Sequence, residues 1–336
     1  MKYFTLVIAF ALASPAWGII TSPVTARPGL ESDCRILSYN SDGSLESICS
    51  GSLRNNREVV TAAHCVNDAK VKPIRFQVEC GANALTVPAP APQFATTAAG
   101  GRVLLNGQTF RERLEGTTAR ISRTYTAARF ANDFAVIQLR TPARRVRPTP
   151  MASSAEMARF FSINPLNPEI SACSLQPGVE CQMSGFGVSN AGYAGNFGSG
   201  NITCDAERNA NLQRSVILVG GLSQGQLEEI GQCLQQNSHN KSVISSFIRN
   251  SLAAVASTLN EAVMQPGDSG GAFFCREGAG PWKQVAINSS IDLGGARGRY
   301  GFYFSMDQMW SRLDDSQLIP ISQWEDPTPL PAPALP

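Results

Sequence analysis

The 336 residues suffice for one large domain or two modest ones, with a sizeable buried core. Hydrophobic residues make up 43% and charged residues 16%, a composition that excludes a disordered chain. A formal net charge of +2 is too small to argue for nucleic acid or an anionic membrane as partner, and 29 glycines with 21 prolines point to many short strands joined by turns.

In chain order, Met1-Lys2 is a short basic start and Tyr3 to Ala13 is apolar, well short of the roughly 20 residues a membrane helix needs. Ser14-Pro15-Ala16-Trp17-Gly18 places small residues, Ala16 and Gly18, where a signal peptidase reads them. Residues 1–18 are therefore expected to be a removable secretory signal, with a mature chain from Ile19. No later stretch approaches the length of a membrane span. Nine cysteines in an exported chain imply disulfides and a secreted or periplasmic location. Nine is odd, so at least one thiol has no partner within the chain.

From Cys34 to about Pro150, short apolar runs broken by turn residues predict strands: Val59-Val60, Ile74 to Val78, Val103 to Leu105, and Phe134 to Leu139. A second set follows at Cys181 to Val188, Ser215 to Val219, Ala272 to Cys275, Val285 to Ile291, and Tyr300 to Ser305. Helical spacing of apolar residues predicts a helix over Gly225 to Cys233, extended by Ser242 to Ala262, and another over Ser305 to Leu318 with Met306, Met309, Trp310 and Leu313 on one face. The end from Trp324 to Pro336 is rich in Pro and Ala and reads as a tail. The expected division is a signal (1–18), one domain (19–320) with an insertion at about 221–262, and a Pro-rich tail (321–336). Arg111, Arg113, Arg120, Arg123, Arg129, Arg144, Arg145 and Arg147 crowd one region. They are scattered and have no aromatic ladder beside them, so they read as a solvated face rather than a site for an anionic partner.

The sharpest motif is Gly267-Asp268-Ser269-Gly270-Gly271. A serine hydroxyl is a weak nucleophile alone and needs a base, together with donors aimed at the oxyanion formed on attack. Flanking glycines let the backbone turn tightly enough for the N–H groups of Gly267 and Ser269 to point into one small space. Upstream lies Thr61-Ala62-Ala63-His64-Cys65, and between them Asn132-Asp133-Phe134-Ala135-Val136-Ile137-Gln138-Leu139. The other of the two histidines, His239, sits in the polar run Gln235 to Lys241 and reads as a surface residue.

Three separated motifs in the order His, Asp, Ser resemble the trypsin/chymotrypsin family and differ from the order in subtilisins and α/β-hydrolases. The resemblance implies an all-β fold of two antiparallel six-stranded-type β-barrels, with a C-terminal helix and, here, a partly helical insertion. It implies His64, Asp133 and Ser269 as a catalytic triad and the N–H groups of Gly267 and Ser269 as the oxyanion hole. It also implies bridges Cys49–Cys65 and Cys181–Cys275, the latter because Cys181 opens Cys181-Gln182-Met183-Ser184-Gly185-Phe186-Gly187, similar to the family's Cys-x-x-x-Gly-Trp-Gly strand. Cys204 and Cys233 are placed to close the inserted segment, while Cys34, Cys80 and Cys173 have no pairing readable from the sequence. Asn201, Asn240 and Asn288 open glycosylation sequons, Asn288 within an expected strand.

Several departures from the family bear on function. The usual Arg or Lys before Ile-Val-Gly-Gly is missing; removal of the signal would instead expose Ile19, whose amino group is expected to pair with Asp268. Cleavage after Arg27 is the alternative, but Pro28 follows it. Val263 stands where the trypsin-like branch has Asp, Gln265 replaces a pocket cysteine, Ser289 matches the family's pocket serine, and Ile291 stands where a glycine leaves room. The specificity pocket formed by Val263, Ser289 and Ile291 should be apolar and shallow, because an unpaired charge there would be too costly to bury. The expected function is a secreted serine endopeptidase acting through an acyl-enzyme and preferring small or medium apolar residues before the scissile bond. Its partners are protein or peptide substrates and protein inhibitors, with no metal or cofactor. The rival readings are a catalytically silent binding module of the same fold and an esterase using the same triad.

Overall fold

The computed structural model describes residues 30–67, 74–82, 91–106, 108–125, 133–160, 176–188, 192–202, 251–256, 265–292, 299–305 and 318–325. The first sheet begins with β1 (Asp33–Tyr39), antiparallel to β2 (Leu45–Asn55), which turns into β3 (Glu58–Thr61). The turn is set by Asn55, whose Oδ1 accepts from Arg57 N at 2.8 Å and whose Nδ2 donates to Glu58 at 2.6 Å. β4 (Arg75–Ala82) follows, then a separate hairpin of β5 (Phe94–Thr96) and β6 (Arg102–Leu104), then β7 (Phe110–Ser122) and β8 (Ala135–Leu139). The order β7-β4-β1-β2-β3-β8 closes on itself through β7–β8 pairing, which makes a six-stranded barrel without free edges. Ile36, Leu53, Val59, Val78, Ile121 and Ile137 fill it with no exposed surface. Each such side chain contributes about 1.5–3 kcal/mol on leaving water.

A short helix, α1 (Ser154–Phe160), crosses to the second sheet. Ser153 caps it: its Oγ accepts from Glu156 N, and Glu156 accepts in return from Ser153 N at 2.8 Å. The second sheet contains β9 (Val179–Gly185), β10 (Gly198–Ile202), β11 (Ser251–Ala256), β12 (Ala272–Glu277), β13 (Lys283–Asp292) and β14 (Arg299–Ser305), in the order β10-β9-β12-β13-β14-β11, all antiparallel. Met183, Phe273, Val285, Ala286 and Ile287 continue the apolar core of the first barrel, so the two sheets share one interior. β15 (Leu318–Pro320) then returns to the first barrel and extends it alongside β7. Trp324, which opens the Pro-rich end, is 5% exposed, packs on Tyr125 at 5.3 Å and donates from Nε1 to Tyr125 O at 3.2 Å.

One expectation needs correction. Residues 251–256, read as part of a helix from Ser242 to Ala262, form β11 and pair residue for residue with β14. The run Ser251-Leu252-Ala253-Ala254-Val255-Ala256 is short and apolar, and periodicity cannot tell a buried helix from a strand there; the open edge of β14 decides it. The other helical expectations, Gly225 to Cys233 and residues 306–317 of Ser305 to Leu318, lie outside the described residues, as does Ser215 to Val219. Ser305 ends a strand and Leu318 begins one.

Part of the arginine-rich region, and Arg140 beside it, is paired with carboxylates. Arg111 bonds Glu31, Arg113 bonds Glu79, Arg120 bonds Glu58 and Arg140 bonds Glu115. Arg35 is different in kind, because both it and Glu79 are fully buried, 2.5 Å apart. Its five N–H groups all have acceptors: Glu79 takes two, and Leu104 O, Gly195 O and Leu105 O take the rest at 2.8–3.0 Å. Its plane stacks over the Phe110 ring at 4.7 Å. Burial lowers its pKa and the Glu79 carboxylate opposes that fall. This one side chain ties β1 and β4 to β6 and to the segment before β10.

Candidate active site

Strand register explains why His64 and Asp133 meet. β3 and β8 are antiparallel neighbours, with Thr61 opposite Ala135. The residues just after Thr61 and just before Ala135 therefore emerge at the same end of the barrel. A single 3-10 turn, Ala63–Cys65, follows β3, and the Cys49–Cys65 disulfide pins it to β2. Asp133 is fully buried and grips His64 twice: Oδ1 accepts from His64 N at 3.0 Å and Oδ2 faces His64 Nδ1 at 2.8 Å. With a carboxylate against Nδ1, the neutral imidazole carries its proton there, which leaves the Nε2 lone pair as the base. The side chain of His64 stays 21% exposed, so the ring is held by Asp133 and still meets solvent.

The segment carrying Ser269 is docked onto the same turn. Ser50 N donates to Ser269 O at 2.8 Å, and that oxygen lies 3.6 Å from Cys65 Sγ, a disulfide sulfur with no proton to give. Gly270 lets the segment come this close. A Cβ on it would sit 2.1 Å from Thr61 Oγ1, 2.4 Å from Ser50 O and 2.7 Å from Ala62 N, and its φ is +79°. Only glycine satisfies both demands. Among the described residues nothing accepts a hydrogen bond from Gly267 N–H or Ser269 N–H, while the carbonyl of the 266–267 peptide, Pro266 O, is held by Val188 N at 2.8 Å. The arrangement can thus present a serine, an oriented imidazole and two free amide donors within one loop–turn contact.

A sequence profile of the family described as Trypsin matches residues 25–311. The chain belongs to the trypsin family. Among solved structures, an HL collagenase shares 16% sequence identity with it at a TM-score of 0.52, over 85% of this chain and 93% of that one. At that identity the likeness concerns the fold. No curated protein sequence matches the chain.

As a trypsin-family protein it carries the Asp that precedes the serine. Asp268 is fully buried, with Oδ1 accepting from Gly187 N at 2.6 Å and Oδ2 from Gln265 N at 2.7 Å. Gly185 and Gly187 make room for it, since a Cβ on either would fall within 2.3–2.7 Å of the carboxyl group. Desolvation by burial lifts its pKa to about 7, against those two hydrogen bonds. No cation faces it among the described residues, and Ile19 lies outside them.

Two pairings implied by the family resemblance, Cys49–Cys65 and Cys181–Cys275, are bonded, and Cys34–Cys80 adds a third. Cys34 stands directly opposite Cys80 in the β1–β4 ladder, as Cys181 does opposite Cys275 in β9–β12. Cys173, Cys204 and Cys233 lie outside the described residues. The grouping of Cys49, His64 and Cys65 resembles a metal site only in distance. Both sulfurs are bonded to each other, so neither offers a thiolate. Val263 lies outside the described residues, and Ser289 and Ile291 are strand residues of β13. His239 and Asn240 lie outside the described residues, and Asn201 is a strand residue of β10. Asn288 is fully buried in β13, which removes it as a glycosylation acceptor in the folded chain.

Sequence reasoning passed over two polar residues at the site. Ser50 Oγ accepts from Phe186 N at 2.9 Å and donates to Gly267 O at 2.8 Å. Asn288 Nδ2 donates to Asp268 O at 3.1 Å. Ser50 adjoins the half-cystine Cys49, and Asn288 looked like part of a sequon, so neither carried a catalytic signal of its own.

Proposed function

We propose that this trypsin-family protein is an active, exported serine endopeptidase in which His64, Asp133 and Ser269 form the triad. The observation that carries the reading is the doubly held His64–Asp133 pair, with the Ser269 segment hydrogen-bonded to Ser50 of β2, the strand to which the Cys49–Cys65 disulfide pins the His64 turn. In this mechanism Ser269 Oγ attacks the scissile carbonyl carbon as His64 Nε2 takes its proton. Asp133 keeps the second imidazole proton on Nδ1 and stabilises the imidazolium. The N–H groups of Gly267 and Ser269 bind the oxyanion; in such sites one donor is worth about 10²–10³ in rate. The imidazolium then gives its proton to the leaving amine, and water hydrolyses the acyl-enzyme by the same route in reverse.

Removal of residues 1–18 frees the Ile19 ammonium, which pairs with Asp268. A carboxyl group buried without a cation is driven towards its neutral form; an ammonium beside it restores the charge and orders the segment before Ser269. With Val263 and Ile291 lining the pocket, cleavage follows small or medium apolar residues. Three disulfides agree with an oxidising, extracytoplasmic setting. Digestion of a mixed peptide library by the purified mature protein tests the reading. Cuts after small apolar residues, lost in Ser269→Ala, support it; dominant cuts after Arg or Lys would overturn the specificity. Hydrolysis of an ester but not of the amide with the same acyl group would make the protein an esterase instead.

A further inference from the structure

Asn288 is a costly residue for its position. It is fully buried in β13, and its Oδ1 has no hydrogen-bond partner among the described residues. An apolar side chain there would remove that orphan acceptor, which offsets part of what the amide's own hydrogen bonds contribute to stability. What Asn adds is its Nδ2, which donates to Ser184 O at 3.0 Å and to Asp268 O at 3.1 Å.

The second of these bonds bears on the chemistry. Asp268 O and Ser269 N–H belong to one peptide group, planar and trans, so they point in opposite directions. Whatever draws the carbonyl inwards turns the N–H outwards. Gly271 N also donates to Asp268 O, at 2.9 Å, but it belongs to the same tight turn and moves with it. Asn288 belongs to a core strand whose own backbone is fixed to the turn on both sides: its N–H donates to Gly271 O at 2.8 Å and its C=O accepts from Gly270 N at 2.7 Å. The side-chain amide therefore refers the 268–269 peptide to a rigid element. Ser50 does the same for the preceding peptide, holding Gly267 O from β2.

We propose that Asn288 is a positioning residue that aims the Ser269 N–H at the oxyanion. This rests on the endopeptidase reading above. A donor that is mis-aimed rather than removed loses part of the usual effect, so Asn288→Val should lower kcat by about ten-fold while KM stays within about two-fold. Affinity for a peptide aldehyde, which forms the tetrahedral adduct on Ser269, should fall by the same factor as kcat. The Tm should change little, because losing the orphan Oδ1 offsets the bonds lost to Ser184 O and Asp268 O; slower turnover in a protein of nearly unchanged stability is not what a merely structural residue produces. Should Asn288→Val fail to fold, Asn288→Ser reads the same quantities, since its side chain is smaller and its hydroxyl is too short to bridge both carbonyls. Unchanged kcat and aldehyde affinity in either folded variant would overturn the role while leaving the enzyme intact. A wild-type protein that takes no fluorophosphonate adduct and cuts no peptide would instead overturn the endopeptidase reading, and this role with it.

Discussion

Asp33 gives a prediction that can be worked from the structure alone. It begins β1 and is fully buried where the two sheets meet. Its Oδ1 accepts from Ser184 Oγ at 2.7 Å and its Oδ2 from Leu30 N at 2.8 Å. Desolvation outweighs both bonds and raises the pKa from 3.8 to about 7. Between those values the folded chain holds a proton that the unfolded chain has lost. Stability from this group is therefore full below pH 3.8 and drains away as pH rises towards 7. A shift of about three pH units corresponds to about 4 kcal/mol at most. Asp33→Asn copies the protonated form: Nδ2 donates to Ser184 Oγ, whose own proton turns to Ala272 O, 3.4 Å away, and Oδ1 keeps the bond from Leu30 N. Thermal unfolding of both proteins from pH 4 to pH 8.5 reads the difference. The variant should match wild type near pH 4 and exceed it by about 5–10 °C at pH 8.5, with a flatter profile between. Parallel profiles, or a variant less stable at high pH, would refute the argument that Asp33 is held neutral.

Two further predictions concern residues that shape the frame of the site. Arg35→Met strips donors from three carbonyls and leaves Glu79 buried with Arg113 and Gln77 as its remaining partners, so denaturant unfolding should show a loss of about 3–5 kcal/mol; a loss below about 1 kcal/mol would mean that the latch contributes little. Gly270→Ala drives a Cβ into Thr61 and Ser50 at positive φ, so peptide cleavage should be abolished and amide exchange should quicken around Ser50 and Thr61; normal activity would show that the segment is not docked as described.

The three motifs were legible because their chemistry confines residue types to a few adjacent positions. The strands that build the frame were less so. β1 is central and buried on both faces, yet its sequence Asp-Cys-Arg-Ile-Leu-Ser-Tyr holds an Asp and an Arg that only a satisfied network can bury. β7 opens on Arg111-Glu112-Arg113 and carries Glu115 and Arg120 further on, so it showed itself as charge rather than as strand. The helix α1 went unread: its capping pair, Ser153 and Glu156, precedes only seven helical residues, too few for apolar spacing to show. Cys34–Cys80 depends on strand register, which composition does not encode. Asn288 was ambiguous because the same triplet reads as a sequon on a surface and as a clamp in a core.

The proposed mechanism stands or falls with Ser269 as an activated nucleophile. Intact-mass spectrometry of the exported protein, with and without a fluorophosphonate probe, reads that property. The expected result is a chain that begins at Ile19 and gains one adduct, mapped to Ser269 and absent from both Ser269→Ala and His64→Ala. A correctly folded chain beginning at Ile19 that gains no adduct would contradict it, and would make this protein a binding member of the trypsin family.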